Sequence, residues 1–247
     1  MPAAATISDL RLLLREQGLG AAIPAFEAGR LAPAPTGFAE LDALLGGGFP
    51  RGEISECLGG LSSGCTTVAL AAIAQATMRG ELAACLDASD GFDAPSAARA
   101  GVALERLLWV RCGQDKPATE RRSRRTSRAA QVWKAAQLIA SAGGFGLIVL
   151  DLIGLPPFQL RDLQHFPWAG LRRTIAHGPT AVLVVSSGHV AGSVAAQTLS
   201  LEREGARWRG SSGVSLRLAG VSTRATILHQ RRGVRGQASA CRLEASR

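Results

Sequence analysis

Short apolar runs alternate with helical patterns through most of this chain. Glu53–Leu58 reads as a first strand, followed by a Gly-rich turn and a helix from Thr66 to about Arg79. Leu82–Leu86 is a second strand, Pro95–Ala100 starts a second helix, and Leu107–Arg111 is a third strand. Arg128–Ser141 reads as helix, Gly146–Asp151 as a fourth strand, Trp168–Ala176 as helix and Ala181–Ser186 as a fifth strand. Strands alternating with 10–15-residue helices, several of them continuously apolar, predict an α/β fold: a mostly parallel central sheet covered by helices on both faces.

The two ends read differently. Ile7 to about Gly18 is a short helix with Leu10, Leu12, Leu13 and Leu14 clustered and Ser8 placed as a cap. Gly29–Pro35, rich in Ala, Pro and Gly, reads as a linker, so a division into residues 1–35 and a core of 36–247 is expected. TGFAELDALLGGG predicts a capped helix with Phe38, Leu41, Leu44 and Leu45 on one face and glycines at its end. After Ser186 the pattern changes to antiparallel strands: Thr198–Arg203, Arg207–Leu218, Thr223–Gln230 and Ala238–Glu244.

Composition narrows the class. With 247 residues, 47% hydrophobic and 19% charged, the chain can bury a full core, which excludes wholesale disorder. No long charge-free apolar run suggests a membrane span, and MPAAATISDLRLLLREQ has charges inside its apolar stretch, unlike a secretory signal. Five cysteines without a CxxC pair fit a reducing compartment, so a cytoplasmic, nucleoid-associated protein is expected. The net charge of +9 is unevenly distributed. Residues 1–110 hold seven basic against twelve acidic groups, residues 111–135 eight against two, and residues 201–247 ten against three. Lys116 and Lys134 are the only lysines; the other basic residues are arginines. Such clusters favour polyanions or serve as solvated faces.

Candidate chemistry sits in Gly59-Gly-Leu-Ser-Ser-Gly-Cys-Thr66, which has the layout of the phosphate loop G-x-x-x-x-G-K-[ST] between a strand and a helix. In that design the loop amides and helix N-terminus cradle phosphates, the lysine reaches the terminal oxygens and the Thr holds Mg²⁺. Gly59, Gly64, Thr66 and the neighbouring Thr67 are in place, but the lysine position is Cys65. A neutral thiol supplies no fixed cation for phosphoryl transfer. About 90 residues on, Asp151 ends an apolar strand where an acid would reach Mg²⁺ through water.

These blocks resemble the RecA recombinases. TGFAELDALLGGGFPRGEISECLGGLSSGCTT is similar to the family's T-G-x-x-x-L-D helix, Gly-Gly-x-P-x-G turn, first strand and phosphate loop, and ACLDASDGFDAPSAARAGVALERLLWVR to its next block. The likeness runs from about Thr36 to Ser187. Three positions depart from the pattern. Besides Cys65, the slot of the water-activating acid holds Ser89, with Asp90 one place later, and the strand expected to end in an Asn-Gln sensor ends in Ser186-Ser187. The stretch LPPFQLRDLQHFPW after Asp151 is also shorter than the first DNA-binding loop of RecA. A RecA-type fold with these losses resembles the ImuA family, accessory proteins of damage-induced mutagenesis. That resemblance implies translesion synthesis in the SOS response, with an ImuB-like protein, an error-prone polymerase or RecA as partners and without ATP turnover. It leaves room for weak ATP–Mg²⁺ binding but assigns no cofactor. The alternative is a divergent DNA-dependent ATPase of the RecA family.

The remaining candidates have plainer readings beside the sharp ones. Arg121, Arg122, Arg124, Arg125 and Arg128 either meet DNA or a partner, or form a solvated loop; Arg231, Arg232 and Arg235 either meet a polyanion or partner, or occupy a turn. On the RecA resemblance, that turn is expected near the nucleotide. The first run lacks interleaved aromatics, so any DNA binding there would be backbone-driven. The four histidines lack metal spacing, and no metal site is expected. Trp168 and Trp208 are expected to pack inside the fold, with Phe166-Pro-Trp168 a candidate exposed anchor.

Overall fold

A computed structural model describes residues 7–16, 31–112, 127–210, 217–231 and 237–244. The strands are β1 (Ile54–Leu58), β2 (Leu82–Asp87), β3 (Leu107–Arg111), β4 (Phe145–Asp151), β5 (Ala181–Ser186), β6 (Gln197–Arg209), β7 (Arg217–Gln230) and β8 (Ala238–Glu244). They form one sheet in the order β3-β2-β4-β5-β1-β6-β7-β8. Pairing is parallel from β3 through β6 and antiparallel from β6 to β8.

The side-chain period of two splits each central strand between two cores. Leu147 and Val149 of β4 join a cluster with α2 (Ala39–Leu45), α3 (Cys65–Met78) and α4 (Ala94–Arg99). Ile148 and Leu150 join the opposite cluster with α5 (Arg128–Ala142), α6 (Pro157–Gln164) and α7 (Trp168–Ile175). This double coverage explains why β1, β2 and β5 are buried at every position. Good helix formers with small side chains make α3, whose Ala69, Ala72, Ala74 and Ala76 are buried. The N-terminal α1 (Ile7–Glu16) lies against α5, with Ser8 inside the helix rather than capping it.

The amino-terminal edge of the sheet is tied together by Arg51. Its guanidinium meets both oxygens of Glu81 at 2.8 Å and the carbonyls of Gly146 and Pro179 at 2.8 and 2.9 Å. Burial alone would push the Glu81 carboxyl up, but the hydrogen bond and charge of Arg51, helped by Arg79, hold it below its usual value.

Four expectations are corrected. The segment Gly29–Pro35 is not a free linker where it is described: Ala34 is buried and exchanges backbone hydrogen bonds with Phe49 at 2.7 and 2.8 Å, across the boundary drawn at 35/36. The strand expected at Arg207–Leu218 is divided between the end of β6 and the start of β7, with residues 211–216 outside the described part. Alternation continues on both sides of the Gly- and Ser-containing stretch, so periodicity alone could not place the break. The stretch after Asp151 holds a helix, α6, that was not anticipated; Leu160 and Leu163 bury it against α5. Phe166-Pro-Trp168 is no exposed anchor, because Trp168 is buried, stacks edge-on to Trp133 at 4.9 Å and donates its indole N–H to Leu163 at 2.8 Å.

Candidate functional site

β1 ends at Leu58 and the chain turns through Gly59–Gly64 into α3, at the carboxyl edge of the parallel strands where open α/β sheets bind ligands. The Gly59 N–H donates to Ser186 O at 3.0 Å, which fixes the loop to the end of β5. Gly64 begins α3 with φ +99°, a conformation that favours glycine. The close approaches explain both glycines. A Cβ on Gly59 would run into Ser63 Oγ and Cys65 Sγ, and one on Gly64 into Leu243 of β8. From the other side, Thr223 Oγ1 of β7 donates to Ser63 O at 3.0 Å. The terminal strands therefore brace the back of the loop.

Cys65 does not face the loop's mouth. It is 2% exposed, and its sulfur accepts hydrogen bonds from Cys57 Sγ at 3.6 Å and Ser63 Oγ at 3.2 Å. The bond from Cys57 holds the Cys65 thiol below its usual value against the opposing effect of burial, while the same bond raises Cys57. Thr66 is exposed and lines a pocket of about 180 Å³ with Asp151, Cys85, Phe92 and Asp93. Sequence reasoning placed Thr66 and Asp151 together, and the fold does so. Thr67 is half-buried on the next position of α3. Among the described residues that line the pocket, none carries a positive charge. Burial pushes the Asp151 carboxyl up to about 6, the N–H of Ile153 opposes this, and the charge of Asp87 adds to it.

The slots beside the loop are turned to other uses. Asp87, 1% exposed, accepts hydrogen bonds from the backbone N–H groups of Ser89, Gly91 and Phe92 and from the Trp109 indole, so it organises the loop after β2. Asp90 is held by Arg111 in a two-pronged pair at 2.6 Å on the exposed edge. Ser186 Oγ donates to Gly188 O at 2.7 Å. The loop beyond it is pinned by Glu56, a fully buried carboxylate that sequence reasoning missed because it interrupts an apolar strand. Glu56 accepts from the N–H groups of Val190 and Ala191 at 2.8 and 2.7 Å and from Thr198 Oγ1 at 3.3 Å, and lies 3.2 Å from His189 Nδ1.

The arginine candidates separate. Arg121, Arg122, Arg124, Arg125, Arg232 and Arg235 lie outside the described residues. Arg128 begins α5, and its charge helps keep Asp90 ionised. Arg231 is not near the nucleotide loop. It bonds Glu53 at 3.0 Å and Val194 O at 2.9 Å at the opposite, amino-terminal edge, because β7 runs antiparallel to β6 and β6 parallel to β1. Trp208 is not a packing residue either: it is 61% exposed. Among the described residues no cluster of His, Cys, Asp or Glu is arranged to hold a metal ion, and no helix is long and apolar enough to cross a membrane.

The model of the RecA N-terminal domain matches residues 19–151, more than half of the chain. The chain belongs to the RecA family. It is 40% identical over 124 residues to the RecA protein of Picosynechococcus sp., a match covering 50% of this chain and 32% of that one. Against the RecA protein of Thermus thermophilus the figures are 39% over 120 residues, 48% and 31%. The chain thus spans about a third of the length of the curated RecA relatives it matches. Its fold is similar to the crystal structure of the RadB recombinase, with a TM-score of 0.56 and 18% identity over 84% of this chain and 94% of that one. Within the RecA family, a loop with Cys65 turned into the core is the feature that bears most directly on chemistry.

Proposed function

We propose that this RecA-family protein is a non-catalytic accessory factor in damage-induced translesion synthesis, of the ImuA type, working through contacts with an ImuB-like protein, an error-prone polymerase or RecA. The observation that carries the reading is the side chain at the lysine position: Cys65 is buried and bonded to Cys57 and Ser63. Among the described residues lining the pocket beside it, none supplies the positive charge that would offset charge on a transferred phosphoryl. Ser89 supplies no base, and Ser186 is engaged with its own loop.

ATP and Mg²⁺ fit the site in part. Thr66 and Asp151 share a pocket and would hold the metal, and the loop amides would meet phosphate. The residues for turnover do not fit, so no hydrolytic step is assigned. Shared placement of Thr66 and Asp151 is also what favours the second reading, a divergent DNA-dependent ATPase.

One experiment separates the two. The purified chain is used to capture the ImuB-like and RecA proteins of its own cell, and ATP hydrolysis is measured with and without DNA. Capture with background turnover supports the accessory reading. DNA-stimulated turnover of about 1 s⁻¹ or faster overturns it.

A further inference from the structure

We infer that the cavity at the amino-terminal edge of the sheet is a binding site for a small organic anion, with a carboxylate or phosphate head on an apolar body. The cavity holds about 880 Å³ and is lined from Leu31–Pro33, the end of α2, the start of β1, the end of α7 and the end of β7. That volume falls in the range of small-molecule sites. The five residues of β1 separate it from the nucleotide loop, about 17 Å at the usual strand rise.

Its charged lining is three arginines and one carboxylate: Arg51, Arg172, Arg231 and Glu53. Glu53 precedes β1, Arg172 stands on α7 and Arg231 follows β7, so groups distant in sequence meet here. Arg51 is spent, because its guanidinium is bound to Glu81 and to the carbonyls of Ala32, Gly146 and Pro179. Glu53 has to serve the other two. Its Oε1 accepts from Arg231 Nη1 at 3.0 Å and Arg172 Nη2 at 3.2 Å, and its Oε2 from Arg172 Nε at 2.8 Å. One negative charge thus answers two guanidiniums. Arg172 Nη1 and Arg231 Nε have no acceptor among the described residues, and the two side chains are 42% and 34% exposed. Arg231 Nη2 also donates to Val194 O at 2.9 Å. Both guanidiniums are therefore held in place before a ligand arrives, which lowers the ordering cost of binding. A carboxylate or phosphate beside Glu53 would take the unused donors and the surplus charge in charge-assisted hydrogen bonds.

The rest of the lining sets the rest of the ligand. Leu31, Pro33, Leu45 and Pro50 add apolar surface to the same cavity. An inorganic anion would leave that surface uncovered. A nucleic-acid strand, charged at every phosphate, would find only one surplus cation here. A single head group on an apolar body satisfies both parts of the wall.

Capture of an ImuB-like protein can fail without touching this site. The test is a ligand-detected NMR titration of the full chain with benzoate and phenyl phosphate, and with benzyl alcohol as the neutral counterpart. One or both anions should bind saturably with a Kd of about 1 mM or tighter, the tighter one naming the head group. Benzyl alcohol should bind at least about tenfold more weakly, and Arg172→Ala and Arg231→Ala should each weaken anion binding about tenfold. Glu53→Gln removes the competing carboxylate and should tighten anion binding about fivefold, a gain that a damaged fold does not produce. Failure of both anions to bind saturably overturns the inference. So does benzyl alcohol binding as tightly as the anions, or weaker anion binding in Glu53→Gln. Phenyl phosphate binding that is unchanged in Arg172→Ala and Arg231→Ala also overturns it, in favour of the nucleotide loop.

Discussion

Cys57 and Cys65 face each other across the base of the nucleotide loop with their sulfurs 3.6 Å apart, both buried. Cys57 stands on β1 and Cys65 opens α3, so the pair joins the strand and helix that the loop connects. In that setting the position is part of the core before it is part of a site.

Cys65→Lys is therefore expected to destabilise the fold rather than restore a phosphate contact. A longer, charged side chain must either be buried unpaired or push its way out past Ser63 and Gly59, at a cost of about 2–4 kcal/mol. Urea melts should show a lower midpoint, and ATP turnover should stay at background because Ser89 still supplies no base.

Nucleotide binding, where it occurs, should rest on Thr66 and the loop amides. Thermal shift in millimolar ATP–Mg²⁺ is expected to be small, under about 1 kcal/mol, as for a ligand near its dissociation constant. A large shift abolished by Thr66→Ala would instead favour the ATPase reading.

Asp151 gives a pH signature with a definite sign. Its folded-state pKa, pushed up to about 6 by burial, exceeds the unfolded value of 3.8, so the native state binds the extra proton between those values. This group therefore costs stability above pH 6 and costs none below about pH 4. Asp151→Asn should stabilise the protein at pH 7 by about 1–3 kcal/mol and flatten the stability curve between pH 4 and 6. Chemical denaturation at closely spaced pH values checks both.

Arg51 makes the opposite case. Glu81 is held below its usual 4.5, so its contribution is present at neutral pH and is lost as pH falls through its folded-state pKa. Arg51→Ala should lower stability at pH 7 by about 2 kcal/mol, since it leaves Glu81 with Arg79 alone and two carbonyls without their donor. The difference from the wild type should shrink in acid. An equal difference at pH 3 and pH 7 would contradict the assignment.

The parallel core was legible because burial on both faces writes continuous apolar strands, and Leu107–Arg111 and Ala181–Ser186 were bounded to the residue. The Gly59–Thr66 loop and Asp151 were legible because spacing carries them. What failed to show was polar chemistry inside apolar text. Glu56 looks like an interruption of a strand and Asp87 like its end, yet Glu56 gathers hydrogen bonds from a loop distant in sequence and Asp87 organises the turn that follows β2. Trp208 misled in the other direction. An indole amid alternating residues reads as core, and only the end of β1 at Leu58 reveals that Trp208 lies beyond the parallel sheet.

The glycines of the loop answer to two masters. Leu243 presses on Gly64, and Ser63 with Cys65 on Gly59, so packing against the last strand demands the same residues that a phosphate cradle would. A chain built this way keeps the outward signature of a nucleotide loop under selection for folding alone. The glycines alone then say nothing about phosphate, and the side chain at position 65 is where the demands of packing and of phosphoryl transfer part.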